Sequence, residues 1–123
     1  MSTHDVVRDY VERLEARDWP AFAALLDPDV VYEMPQTRER VRGRERYLQF
    51  NQEYPGEWHL EVLRVVAEDL HGVCWLRWRV GEEAGDAVVL LTVDDDGLVT
   101  EVVDFWPESY EPPQGRDHLV ERW

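Results

Sequence analysis

Leu98-Val99-Thr100-Glu101-Val102-Val103-Asp104-Phe105-Trp106 is a run of strand-forming residues that carries one acid among large apolar neighbours. With the two-residue period of a β-strand, Thr100, Val102, Asp104 and Trp106 share one face. A carboxylate in that setting has two readings. Either it is satisfied by an arginine or by backbone donors and does no chemistry, or it lines an apolar cavity. In a cavity, desolvation would raise its pKa and suit it to take up or release a proton near neutrality.

Three similar runs precede it, Trp58–Ala67, Val73–Val80 and Asp86–Val93, joined at the turn-rich segments Asp69–Gly72, Gly81–Gly85 and Asp94–Gly97. Within Val73–Val80, Cys74, Leu76, Trp78 and Val80 alternate with Trp75, Arg77 and Arg79, so one face is apolar. Consecutive hairpins of this kind predict an antiparallel meander. Upstream the period changes to that of helices. Val6, Val7, Tyr10, Val11 and Leu14 predict a helix over Thr3–Ala16, capped by Ser2 or Thr3. Asp18 caps a second helix with Pro20 in its first turn and Phe22, Leu25 and Leu26 facing inward. Asp27-Pro28-Asp29 reads as a turn, Val30–Met34 as a short strand, the segment up to Gly43 as an arginine-rich loop, and Arg44–Tyr54 as a third helix. From about Pro107 the tail is Pro-rich and extended, with one terminal turn near Leu119–Trp123. Helices followed by strands predict an α+β fold, in a single domain over residues 1–123.

Bulk properties narrow the function classes. With 44% hydrophobic and 11% aromatic residues the chain has ample material for a core. A net charge of −14 disfavours nucleic acid and anionic membranes as partners. There is no lysine, so a lysine Schiff base is excluded. The lone cysteine, Cys74, reads as a small buried hydrophobe in a reducing compartment. The polar start, Met1-Ser2-Thr3-His4-Asp5, lacks the layout of a secretion signal and no run is long enough to span a membrane, so a cytoplasmic location is expected.

The order helix, helix, short strand, helix, meander resembles the nuclear transport factor 2-like superfamily, which includes SnoaL-like polyketide cyclases, ketosteroid isomerases and limonene epoxide hydrolases. The resemblance is carried by Arg8–Asp18, Leu26–Pro35, Gly43-Arg44-Glu45 and Asp96–Trp106 and spans nearly the whole chain. It implies a cone-shaped α+β barrel, three N-terminal helices packed on a strongly curved, mostly antiparallel sheet that curls around a cavity. Inward positions would then include Tyr32, Met34, Phe50, Leu76 and Trp78, then Val89, Leu91, Val102, Asp104 and Trp106, with Tyr10 offered by the first helix. An aromatic pocket with few polar groups suits a small apolar molecule; the same side chains could instead simply fill the core.

The resemblance also ranks the chemistries. Tyr10 falls where ketosteroid isomerases carry a tyrosine oxyanion donor, but Met34 occupies the position of their general base, and their acidic partner would fall near Val89 or Leu90. For the Asp–Arg–Asp relay of the epoxide hydrolases, Asp104 and Arg77 or Arg79 are present, yet Val73–Val80 holds no second aspartate. SnoaL-like cyclases need one acid/base on the last strand, which Asp104 matches, with Tyr10 or Tyr32 to polarise a carbonyl. The expected function is a small-ligand pocket protein, either an acid/base cyclase or isomerase using Asp104, or a non-catalytic binding or dimeric interaction protein. No cofactor is expected.

Other motifs carry less. The run Arg38, Arg40, Arg42, Arg44 and Arg46 either holds an anionic substrate group or forms a solvated face paired with glutamates. His4, His59, His71 and His118 are scattered without metal-ligand spacing. Trp75, Arg77, Arg79, Val88 and Leu90, with Val99, Glu101 and Val103, make a partly apolar outer sheet face that predicts a homodimer.

Overall fold

Ser2 and Asp5 start the first helix by reciprocal capping. The Ser2 hydroxyl accepts from the Asp5 amide at 3.1 Å, and the Asp5 carboxylate accepts from the Ser2 amide at 3.2 Å. This helix, α1 (Thr3–Glu15), buries the whole stripe from Val6 to Leu14. A computed structural model describes all residues, Met1–Trp123. In α2 (Trp19–Ala23), Asp18 caps through its side chain and Phe22 is buried. There follow β1 (Leu26–Met34), β2 (Glu39–Arg42), α3 (Arg44–Gln52), β3 (Trp58–Glu68), β4 (His71–Val80), β5 (Glu83–Val93) and β6 (Val99–Phe105).

The six strands form one curved, mixed sheet in the order β2-β1-β6-β5-β4-β3, antiparallel throughout except between β1 and β6. The helices pack on its inner face, α1 mainly against β3 and β4, and α3 against β1. Gly72 lets α1 come close: a β-carbon there would lie 2.3 Å from Cγ2 of Val7. Beside Gly72, Leu91 is buried under the helix, paired in turn with Val102 on β6. This is the cone predicted from the sequence.

Five local readings are corrected. The segment Asp27-Pro28-Asp29 keeps its local turn bond, Asp29 amide to Asp27 carboxylate at 2.8 Å, but lies inside β1. It is accommodated because the β1–β6 pairing skips from Leu26 to Val31, so the N–H that Pro28 lacks breaks no ladder bond. The arginine-rich loop contains the edge strand β2, whose charged residues gave no alternation to read; Arg40 and Glu33, cross-strand partners, pair at 2.8 Å. The third helix stops at Gln52, short of Tyr54. In β6, Val93 pairs with Val99 and Thr92 with Glu101, so the ladder skips Thr100. That irregularity shifts the face: Val99, assigned to the outer face, is fully buried, and Thr100 leaves the Val102 face to donate its hydroxyl to the Thr92 carbonyl at 3.2 Å. Glu101 stays outside and Asp104 inside. Beyond Phe105 the chain forms no helix or strand, and its one tail turn lies at Arg116–Leu119.

Candidate active site

Asp104 shares the inner face with Val102 because β6 alternates regularly beyond the irregularity at Thr100. It is only 8% exposed. Its Oδ2 accepts a hydrogen bond of 2.7 Å from the Tyr32 hydroxyl on β1. Its Oδ1 is buried without a hydrogen-bond partner. Burial pushes the Asp104 pKa up, opposed by the nearby Trp106 indole and by Tyr32. The Trp106 N–H lies close enough to act on the carboxylate but makes no hydrogen bond of good geometry, and it too is unpaired. The acid is therefore held by one oxygen, while the other is enclosed near the Trp106 indole without a hydrogen-bond partner.

Oδ1 belongs to a residue bordering a cavity of about 60 Å³. An arc of rings surrounds it: Tyr32 and Phe50 have centroids 5.3 Å apart, Phe50 and Tyr54 6.0 Å, and Tyr54 and Trp106 6.5 Å. Met34, Leu76 and Val89 add apolar surface. Val89 is the cross-strand partner of Asp104. The isomerase acid positions, Met34 and Val89, are thus apolar walls, and the only carboxylate bordering the cavity stands one strand along from Val89.

Tyr10 also borders the cavity, but its hydroxyl shares a buried hydrogen bond with Tyr47 and makes none to Asp104. Burial holds Tyr10, Tyr47 and Tyr32 well above the ordinary phenol range, so all three stay neutral donors. Of the expected lining, Trp78, Leu91 and Val102 do not border the cavity. Trp78 lies over its cross-strand neighbour Gly85, where a β-carbon would sit 2.7 Å from its ring, and packs tilted against Trp106 with centroids 5.3 Å apart. Leu91 and Val102 sit at the level where α1 closes on the sheet and no space remains. Arg77 and Arg79 are on the outer face, with Arg77 paired to Asp86 at 3.5 Å, so no epoxide hydrolase relay assembles around Asp104.

Sequence reasoning named Phe50 but passed over Tyr47, Asn51 and Tyr54, which reach the cavity with it. Tyr47, Phe50 and Asn51 are spaced by three and four residues on one stripe of α3, which was the available signal, and Tyr54 follows just past the helix end. Trp58 and Leu60 were missed as well. They are anchored from outside: Glu15 accepts from the Leu60 amide at 2.7 Å and contacts His59 Nδ1 at 2.8 Å, while the Arg17 guanidinium stacks 3.5 Å from the Trp58 ring centroid.

The remaining motifs lie elsewhere. Of the arginine run, only Arg40 forms an ion pair; Arg42, Arg44 and Arg46 border a shallow polar depression at the start of α3, away from Asp104. Cys74 is fully buried, and burial pushes its thiol up to about 11, so it packs as a hydrophobe. No three His, Cys, Asp or Glu side chains converge as a metal site would require. No helix is long and apolar enough to cross a membrane.

Residues 7–102 match the profile of the SnoaL-like domain. The chain belongs to the SnoaL-like domain family. A protein from Kribbella flavida, provisionally named a ketosteroid isomerase, is 52% identical to this SnoaL-like protein, with a TM-score of 0.96 over 98% of this chain and 89% of that one. A provisionally named SnoaL-like polyketide cyclase from Shewanella denitrificans is 16% identical, TM-score 0.72, over 85% and 90%. A protein of ketosteroid isomerase-like fold from Catenulispora acidiphila, solved in complex with trimethylamine, is 14% identical, TM-score 0.71, over 84% and 85%. The last two share the fold alone. No curated protein matches the sequence.

Proposed function

We propose that this SnoaL-like protein is an acid/base enzyme that moves a proton on a small carbonyl compound held in the aromatic cavity, with Asp104 Oδ1 as the proton-carrying atom. The observation that carries this reading is the half-satisfied carboxylate: Tyr32 fixes Oδ2 while Oδ1 is buried and unpaired. Ionised, Oδ1 takes a proton from the carbon beside a carbonyl, and the electron pair of that C–H bond moves toward the oxygen as an enolate. The same carboxyl then returns the proton at another carbon, which leaves an isomer, or the enolate carbon closes onto a second carbonyl, whose π pair moves to its oxygen and takes the proton back from Asp104. The raised pKa of Asp104 brings its proton affinity closer to neutral pH, which favours both directions of transfer. Tyr32 stays neutral and steadies the carboxylate, and Tyr10 acts through Tyr47 by holding the cavity wall.

Cavity size supports small substrates over polycyclic ones, since about 60 Å³ is well under the ~150 Å³ that holds a benzene ring. Acetone fits that limit. In heavy water the protein should exchange the methyl protons of acetone for deuterium, followed by proton NMR, and Asp104→Asn should slow exchange at least ~100-fold. Undiminished exchange in a folded Asp104→Asn protein removes the reading. A second reading, a non-catalytic binder in which Asp104 only orients the ligand, is favoured by the same unpaired Oδ1 if the wild type binds small molecules without exchanging their protons. The trimethylamine of the Catenulispora protein is a reason to include amines among the probes.

Two further parts of the proposal concern setting. The exposed Trp75, Leu90 and Phe105 on the outer sheet face support a face-to-face homodimer, checked by light scattering over a range of concentrations. The single buried thiol supports a cytoplasmic setting.

A further inference from the structure

The cavity has an unbalanced inventory. Its one ionisable acid is nine-tenths buried, with one oxygen unpaired. No arginine, lysine or histidine borders it. A buried carboxylate is costly unless it is paired, and one phenol hydrogen bond with a nearby indole N–H brings no opposite charge to it. The walls facing it are aromatic, and an aromatic face carries the negative end of the ring quadrupole. We propose that the cavity is a binding site for a compact alkylammonium ion, whose N–H groups pair with Asp104 Oδ1 and whose alkyl groups pack among the rings of Tyr32, Phe50, Tyr54 and Trp106.

Each alternative ligand class leaves something unmet. An anion would meet a buried carboxylate and no positive group among the residues bordering the cavity. A neutral hydrocarbon would fill the rings but leave Oδ1 unpaired. A cation with an N–H donor satisfies both. Trp58 contributes less to the cage, because the Arg17 guanidinium already stacks on its ring and is not among the groups bordering the cavity. The net charge of −14 raises the concentration of cations around the protein. The cavity volume, well under the ~150 Å³ that holds a benzene ring, restricts the ion to a compact one.

An amine arriving neutral reaches the same state by proton transfer. The Asp104 O–H bond breaks, the N–H bond forms with the nitrogen lone pair, and the carboxylate and ammonium remain as an ion pair. The inference rests on the same carboxylate and cavity as the proposed function but not on turnover of any substrate.

tert-Butylammonium and tert-butanol have nearly the same shape and differ mainly in charge, so they separate recognition of the cation from filling of the space. Isothermal titration of the full chain should show tert-butylammonium chloride binding at least roughly tenfold tighter than tert-butanol. Asp104→Asn, with its fold checked by circular dichroism, should weaken tert-butylammonium roughly tenfold and leave tert-butanol nearly unchanged. Equal affinities in the wild type, tighter binding of the alcohol, or no binding of the cation overturns the inference, and the wild-type comparison needs no variant. Full cation affinity in Asp104→Asn overturns it too. Cation preference without acetone exchange sinks only the enzyme reading, whereas exchange without cation preference sinks only this inference.

Discussion

Asp86 and Asp104 stand on neighbouring strands of one sheet and face opposite ways. Asp86, on the outer face of β5, is held by the Arg77 guanidinium at 3.5 Å and by the Trp75 indole N–H at 3.1 Å, in contact with water. Asp104, on the inner face of β6, has one phenol hydrogen bond, a nearby indole, no cation and little contact with water. Both are aspartates beside a tryptophan, so local chemistry does not separate them. The side of the sheet does. Outside, an acid is neutralised by a neighbour and screened; inside, it keeps unused hydrogen-bonding capacity and its affinity for a proton rises.

The contrast can be tested at four levels, beginning with packing. Leu76→Ala removes a buried side chain from the inner face and should cost about 2–5 kcal/mol. Its outer neighbour Trp75→Ala should cost clearly less, and urea unfolding of the two variants checks the order. Similar losses would mean the outer face is also buried, as in a stable dimer. Next, Tyr47→Phe leaves the Tyr10 hydroxyl buried without its partner and should cost about 1–3 kcal/mol by the same measurement; a neutral result would place a water in the cavity wall.

Asp104 should also give the protein a pH-dependent stability. Because its folded-state pKa is raised, the native protein holds this proton more tightly than the unfolded chain. The contribution is complete below the ordinary carboxylate range and is lost as pH rises through the raised value, with a slope of at most ~1.4 kcal/mol per pH unit. Thermal melts from pH 3 upward should show that slope in the wild type and not in Asp104→Asn. A wild-type curve rising with pH over this window, relative to the variant, would contradict the assignment. The smallest effect belongs to the outer acid: Arg77→Ala breaks an exposed pair and should cost less than ~1 kcal/mol, falling further in high salt.

Much of this molecule was legible without coordinates, because helical and strand periods report which residues must leave water. The stripe Val6, Val7, Tyr10, Val11, Leu14 and the alternation Cys74, Leu76, Trp78 fixed elements and faces that the structure repeats. The edge strand β2 was hidden because charged residues on an exposed edge follow no burial period. The irregularity at Thr100 was hidden for another reason: an extra residue in one strand shows only against its partner, here Thr92 and Val93 on β5.

The chain's own pattern determined helices followed by a meander with an acid on its last strand, since amphipathic periodicity is a local record of burial, and the cone was implied by the resemblance that this order of elements carries. Only the tertiary structure decided that Tyr32, distant in sequence, binds one oxygen of that acid, that Tyr10 turns instead to Tyr47, and that Trp78 lies over Gly85 rather than in the cavity. Those outcomes depend on cross-strand register and on how closely a helix approaches the sheet, quantities set by pairs of residues far apart in the chain.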